Sequence, residues 1–114
     1  MYICGTKFST NTMETNFTNK ELEKLYTTGK SRKYPLPQDV ARKFVMCVTK
    51  IEAAENIYDF WQDPSLNFEK LRGFTNRYSM RINRKYRLEV DIDWQNNEQI
   101  VGIISIDEIS NHYD

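Results

Sequence analysis

At 114 residues the chain is long enough for one domain with a single modest core. Sixteen Lys and Arg balance sixteen Asp and Glu, so the whole-chain charge at first argues against a nucleic-acid binder. No apolar run approaches the roughly 18 residues of a membrane span, and no basic start, apolar run and small-residue cleavage site mark a secretory signal, so the expected compartment is the cytoplasm with no membrane partner.

The charge distribution reverses the first impression. Between Leu66 and Val90 there are seven basic residues against two acidic ones, a net +5, whereas Asp91 to Asp114 carries six acidic residues and no Lys or Arg. A concentrated basic block hidden in a neutral total is the footprint of a polyanion partner. A solvated basic sheet face is the bland alternative.

In chain order, residues 1–14 read as a polar extension without periodicity, and the domain as residues 15–114. Met13 opens METNFTNKELEKLY, which looks like a more natural start. An edge strand is expected near Thr15 to Phe17. Thr18 and Glu21 have the spacing of a capping box for a first helix with Leu22 and Leu25 on its apolar edge, closed by Gly29. A basic connector follows, in which Pro35 and Pro37 bar helix. From Asp39 to about Glu55, Val40, Phe44, Val48 and Ile51 recur at three- and four-residue steps and predict a helix with one buried face. Asn56 to Trp61 reads as its aromatic continuation, stopped at Asp63-Pro64.

The period then changes to two. Tyr78 to Asn83 and Tyr86 to Trp94 alternate apolar and polar residues as half-buried antiparallel strands do, and Asn83-Arg84-Lys85 joins them in a hairpin. Ile100 to Ile106 is almost continuously apolar, as a central strand is. Asp107 to Asp114 is expected to leave the sheet. The fold class is α+β: two N-terminal helices packed on a curved antiparallel sheet of three to four strands.

The alternation has a chemical consequence. Arg81 and Arg87 are expected on the outer face of the hairpin, close together across it. Two facing guanidinium groups repel unless an anion bridges them, either a phosphate or a carboxylate such as Glu69 or Glu89. Tyr78 and Tyr86 suit base stacking or the core, and the alternation favours the core. The chain has one histidine, His112. It is either a solvated terminal residue or, if the tail lies over the basic sheet, a proton-transfer group. Cleavage of RNA by its own 2′-hydroxyl needs a base, an acid and positive charge on the phosphorane. A single His rules out a two-histidine mechanism and leaves Glu69, Tyr113 or water as the second group. Cys4 and Cys47 lie too far apart for a zinc pattern; Cys47 reads as a buried free thiol, and no metal or cofactor is expected.

Four segments carry a family resemblance: Phe68-Glu-Lys-Leu-Arg-Gly73, Tyr78-Ser-Met-Arg-Ile-Asn83, Tyr86-Arg-Leu88, and Ile106 to Asn111-His112-Tyr113. Together they resemble the HigB-type killer toxins of the RelE/ParE superfamily, and Phe17 to Trp61 is similar to the family's two-helix half. The resemblance implies a RelE-like α+β fold and metal-independent, ribosome-dependent endoribonuclease action on translated mRNA. It implies a HigA-type helix-turn-helix antitoxin as partner, with operator DNA reached only through that complex. Residue by residue it places Arg72 on the basic residue of the family's Leu-Lys/Arg-Gly step, Arg87 on the arginine that meets the scissile phosphate, and His112, with Tyr113 beside it, on the terminal His segment. With the basic block and the proton-transfer chemistry above, the candidate catalytic residues are Arg87, His112, Glu69 and Tyr113, and the candidate RNA-binding residues Arg72, Lys70, Arg77, Arg81, Arg84 and Lys85. Glu69 stands where some members carry a histidine, and a carboxylate there serves as a base but not as a cation. ParE-type relatives share the fold and inhibit DNA gyrase, so the fold alone leaves that alternative open.

Overall fold

The computed structural model describes residues 13–111. Its elements run β1 (Glu14–Phe17), α1 (Lys20–Thr28), α2 (Gln38–Ala53), α3 (Tyr58–Trp61), a 3₁₀ turn (Pro64–Leu66), β2 (Glu69–Lys70), β3 (Arg77–Arg81), β4 (Tyr86–Trp94) and β5 (Gly102–Asn111). The strands form one five-stranded sheet in the order β1-β5-β4-β3-β2. The α+β class holds, but the sheet has five strands and is mixed, because β1 pairs with β5 in parallel. The fold also reaches back to Met13, which is 1% exposed in the core, so residues 13 and 14 belong to the domain and not to the extension. Residues 1–12, including Cys4, and residues 112–114 lie outside the described residues.

α1 starts one residue later than the capping-box spacing predicts. Asn19 is the N-cap, and its Oδ1 accepts from the amides of Glu21 and Leu22. Thr18 instead donates its hydroxyl to the Ile106 carbonyl and to Asp107, tying the helix entry to β5. Glu21 and Glu23 lie in the first turn, where the helix dipole favours them. Gly29 closes the helix at φ 81°, as expected.

α2 buries Val40, Ala41, Phe44, Cys47, Val48 and Ile51 against the sheet. Burial pushes the Cys47 thiol up to about 12, which leaves it an inert packing group. The helix ends at Ala53, where Ala54 turns extended, so the aromatic stretch after it is a separate short helix and not a continuation. Phe60 and Trp61 of that helix pack on Phe68, and Phe68 stacks on Tyr78 with ring centroids 5.0 Å apart and planes 5° from parallel. This aromatic column fixes the chain just before β2.

The hairpin forms as the alternation predicts. Tyr78, Met80, Leu88, Val90 and Ile92 point to the helices and are buried. Asn83 closes the turn by accepting from the amides of Lys85 and Tyr86. β5 is central, between β1 and β4, but continues to Asn111 instead of leaving the sheet at Asp107. It does so through a β-bulge: Glu89 pairs with Glu108 and Val90 with Ile106, which leaves Asp107 as the extra residue. The bulge resets the alternation so that Ile106 and Ile109 both reach the core.

At the far end of β5, Gly102 pairs with Trp94 in close approach. A Cβ there would lie 2.6 Å from the Asp93 carbonyl oxygen and 3.1 Å from Ile92 Cγ2. Gly102→Ala should destabilise the domain by about 1–3 kcal/mol, through overpacking against backbone that cannot yield without disturbing the β4–β5 ladder. Denaturant unfolding checks this: the midpoint falls while the slope stays unchanged.

Candidate functional site

The outer face of the sheet carries the polar residues of β2 to β5, and its register is set by the hairpin. Arg81 lies opposite Arg87, Ser79 opposite Glu89, and Arg77 opposite Asp91; Glu69 of β2 lies opposite Ser79 on its other side. The face therefore holds a row of Glu69, Ser79 and Glu89, with the arginine pair beside it at the hairpin end and Arg77 on the other flank.

The two flanks differ in their charge balance. Arg77 is almost fully enclosed by carboxylates of its own chain: Nε donates to Glu89 at 2.9 Å, Nη1 to Asp91 at 3.0 Å and Nη2 to Asp107 at 2.9 Å. Its side chain is 14% exposed, and its guanidinium lies 5.6 Å from the centre of the Phe74 ring. Burial alone would raise the Asp107 carboxyl, but hydrogen bonds from Arg77 and Thr18 and the Arg77 charge outweigh it and hold the pKa below the usual range. The acidic C-terminal segment thus meets the basic block at Arg77, assigned from sequence to RNA binding.

The other flank retains unneutralised charge. Among the described residues Arg87 has one carboxylate near it, with Nη1 3.5 Å from Glu69 Oε1. That separation is at the limit of a hydrogen bond. Arg81, Arg72, Lys70, Arg84 and Lys85 are exposed and make no ion pair among the described residues. Lys85 lies over the Tyr86 ring, 5.4 Å from its centre. β5 brings the chain to Ser110 opposite Arg87 and Asn111 opposite Tyr86. His112 and Tyr113 lie outside the described residues.

Three further residues belong to this surface. Ser79 is 1% exposed and its hydroxyl has no hydrogen-bond partner among the described residues. It lies between Glu69 and Glu89 in the strand register. Glu89 shares the row and is held by Arg77. Phe74, in the loop between β2 and β3, is 55% exposed, next to Gly73 at φ 85°. Alternation placed Ser79 and Glu89 on this face; Phe74 carries no periodic signal. Among the described residues no cluster of His, Cys, Asp and Glu has the make-up of a metal site, and no helix is long and apolar enough to cross a membrane.

Residues 15–105 match the family described as RelE-like toxin of type II toxin-antitoxin system HigB. The chain belongs to the HigB-like toxin family. It is therefore a type II toxin-antitoxin toxin of the RelE superfamily, as the sequence resemblance implied. Among solved structures it is similar to the YoeB-YefM complex from Staphylococcus aureus, at TM-score 0.53 and 20% identity over 89% of this chain and 98% of that one. It also matches the YoeB dimer from Staphylococcus aureus at TM-score 0.48 and 19% identity, with the same coverages of 89% and 98%. The first likeness establishes a common fold. No curated protein sequence gives a significant match.

Arg77 is held by three carboxylates and acts as a structural cation of this sheet face. Arg77→Met should cost about 2 kcal/mol at pH 7, less than a fully buried pair because Asp91 and Asp107 are partly solvated. Asp107 has a depressed folded pKa, so its contribution is present above the unfolded value of about 3.9 and is lost as pH falls through the folded one. The stability gap between wild type and variant should narrow below about pH 4, measured by urea unfolding across a pH series.

Proposed function

We propose that this toxin is a metal-independent endoribonuclease that cuts translated mRNA on the ribosome and is neutralised by a HigA-type antitoxin in the cytoplasm. The observation that carries the reading is the cross-strand pairing of Arg81 with Arg87, with the Glu69 carboxylate 3.5 Å from the Arg87 guanidinium. Such a pair is unfavourable until an anion lies across it, and a phosphodiester fits it with bidentate contacts.

The chemistry follows from the groups around that anion. The 2′-hydroxyl of the RNA attacks the adjacent phosphorus, forming a 2′,3′-cyclic phosphate and breaking the bond to the 5′-oxygen. Glu69 takes the proton of the attacking hydroxyl, His112 gives one to the departing oxygen, and Arg87 carries the charge on the phosphorane oxygens. Tyr113, next in sequence, is the alternative proton donor. Lys70, Arg72, Arg81, Arg84 and Lys85 track the backbone on either side, and Arg77 holds Glu89 and the bulge in place behind them. Binding of free RNA is weak and salt-dependent, because phosphate contacts dominate it. The ribosome supplies the orientation that a small open sheet face lacks. Operator DNA is reached through the antitoxin.

Arg87→Ala should reduce cleavage by roughly 10²–10³-fold, the usual loss of one preorganised charge donor, and His112→Ala by a comparable factor. Both variants should relieve growth arrest while retaining the far-UV spectrum and unfolding midpoint of the wild type. Mapping mRNA 5′ ends in a translating extract reads the chemistry directly. Intact message with active wild-type toxin would refute the nuclease reading, and a positive supercoiling-inhibition assay would replace it with action on gyrase.

A further inference from the structure

A second feature lies on the other side of the hairpin. A cleft of about 420 Å³ opens between α2, the 3₁₀ turn and the β3–β4 turn. Its floor is apolar: Met46, Cys47, Leu66 and Ile82. Met46 is 60% exposed, the most exposed of the large hydrophobic side chains among the described residues. Its rim is basic: Lys43, Lys50, Arg81 and Arg84. No acidic residue lines it among the described residues. Only Lys50 is paired, with Asp63 at 2.9 Å, while Lys43, Arg81 and Arg84 make no ion pair among the described residues.

The sheet is open at this point. β2 covers β3 only at Tyr78 and Ser79, because the chain turns away at Asn67 with φ 44°. Beyond Met80 the β2 side of β3 has no strand partner among the described residues, and the cleft lies alongside it.

We infer that this cleft docks an acidic amphipathic peptide segment of the protein that neutralises the toxin. The inference rests on the toxin reading for the partner's role, but the surface is argued from its own chemistry. A rim of cations selects carboxylates, and an apolar floor selects a side chain of Leu or Phe type between them. Methionine is the side chain best able to adapt to such an insert. A nucleic acid fits less well: no aromatic residue lines the cleft for bases to stack on, and phosphates gain nothing from Met46, Leu66 and Ile82. Arg81 is shared between the cleft and the outer face, where it lies opposite Arg87. A carboxylate held by Arg81 in the cleft thus competes with a phosphate at the arginine pair, which couples docking to inhibition without covering the outer face.

The test uses the purified full-length chain and a fluorescein-labelled synthetic peptide of about 12 residues, Glu and Leu at helical spacing, in anisotropy titrations. A scrambled peptide that disperses the leucines and a labelled single-stranded RNA of the same length are the comparison probes. The amphipathic peptide should bind saturably, and more tightly than the scrambled one. The double variant Lys43→Glu/Met46→Glu, at two exposed positions of α2 outside the cleavage site, should weaken it about tenfold or more, whereas Met46→Leu should leave it unchanged. Unfolding midpoints confirm that the variants fold. No binding, equal binding by the scrambled peptide, or RNA binding that the double variant abolishes would each overturn the proposal. None of these results depends on mRNA cleavage, so the cleft can fail while the nuclease reading stands, and the reverse.

Discussion

The contact of Arg77 with three carboxylates organises the rest of the structure. Each of its donor nitrogens reaches a different acid: Glu89 and Asp91 on β4, and Asp107 on β5. Asp107 is the residue that the bulge leaves without a strand partner. One guanidinium therefore spans three strands and fixes where β5 changes its alternation. The same Asp107 receives the Thr18 hydroxyl, and its carbonyl accepts from the Asn19 side chain that caps α1. The helix layer and the outer sheet face are thus joined through one residue. Asn19 also donates to Tyr34, whose phenol donates in turn to Glu108; burial and that carboxylate push the phenol up to about 12. The polar groups exposed by the bulge are satisfied in this way on both sides.

The bulge has a functional consequence. Without the extra residue at Asp107, strict alternation would put Glu108 and Ser110 on the helix side and Ile109 on the outer face. With it, Ile109 packs in the core and Ser110 stands opposite Arg87. The geometry that keeps the strand folded to Asn111 is the same geometry that sets Ser110 opposite Arg87 and Asn111 opposite Tyr86. Glu69 is positioned by a separate device. β2 is only two residues long and has little ladder of its own, so the stack of Phe68 on Tyr78, buttressed by Phe60 and Trp61, holds it in register. Hydrophobic packing on one side of the sheet thereby sets a carboxylate on the other.

Those two devices also explain what could be read from the sequence. The hairpin, the inward tyrosines and the Arg81–Arg87 juxtaposition follow from a period of two over uninterrupted runs, where local chemistry and tertiary structure agree. The α2 face follows from its period in the same way. The two residues of β2 are too few to show a period. β1 was visible as a short extended stretch, but its parallel pairing with β5 joins segments almost ninety positions apart, which no local pattern records. The fate of Arg77 was hidden for a related reason. As one of seven cations in a basic block it looked like the others, and its acids come from positions 12, 14 and 30 residues away. The net +5 of the block is therefore larger than the charge the folded surface offers near Arg77.

Redistribution of that charge gives the surface its polarity. The acidic C-terminal segment neutralises the block at the Arg77 end and leaves the hairpin end positive, where Arg81, Arg84, Lys85 and Arg87 converge. A neutral protein thus presents a local cationic field without the self-repulsion that a uniformly basic chain of this size would carry. The field has two outlets, the outer face and the cleft beside α2, and Arg81 belongs to both. A toxin whose anion site and docking cleft draw on one arginine cannot satisfy a phosphate and a carboxylate there at once. Competition for a single guanidinium is then sufficient to make binding at one surface oppose binding at the other.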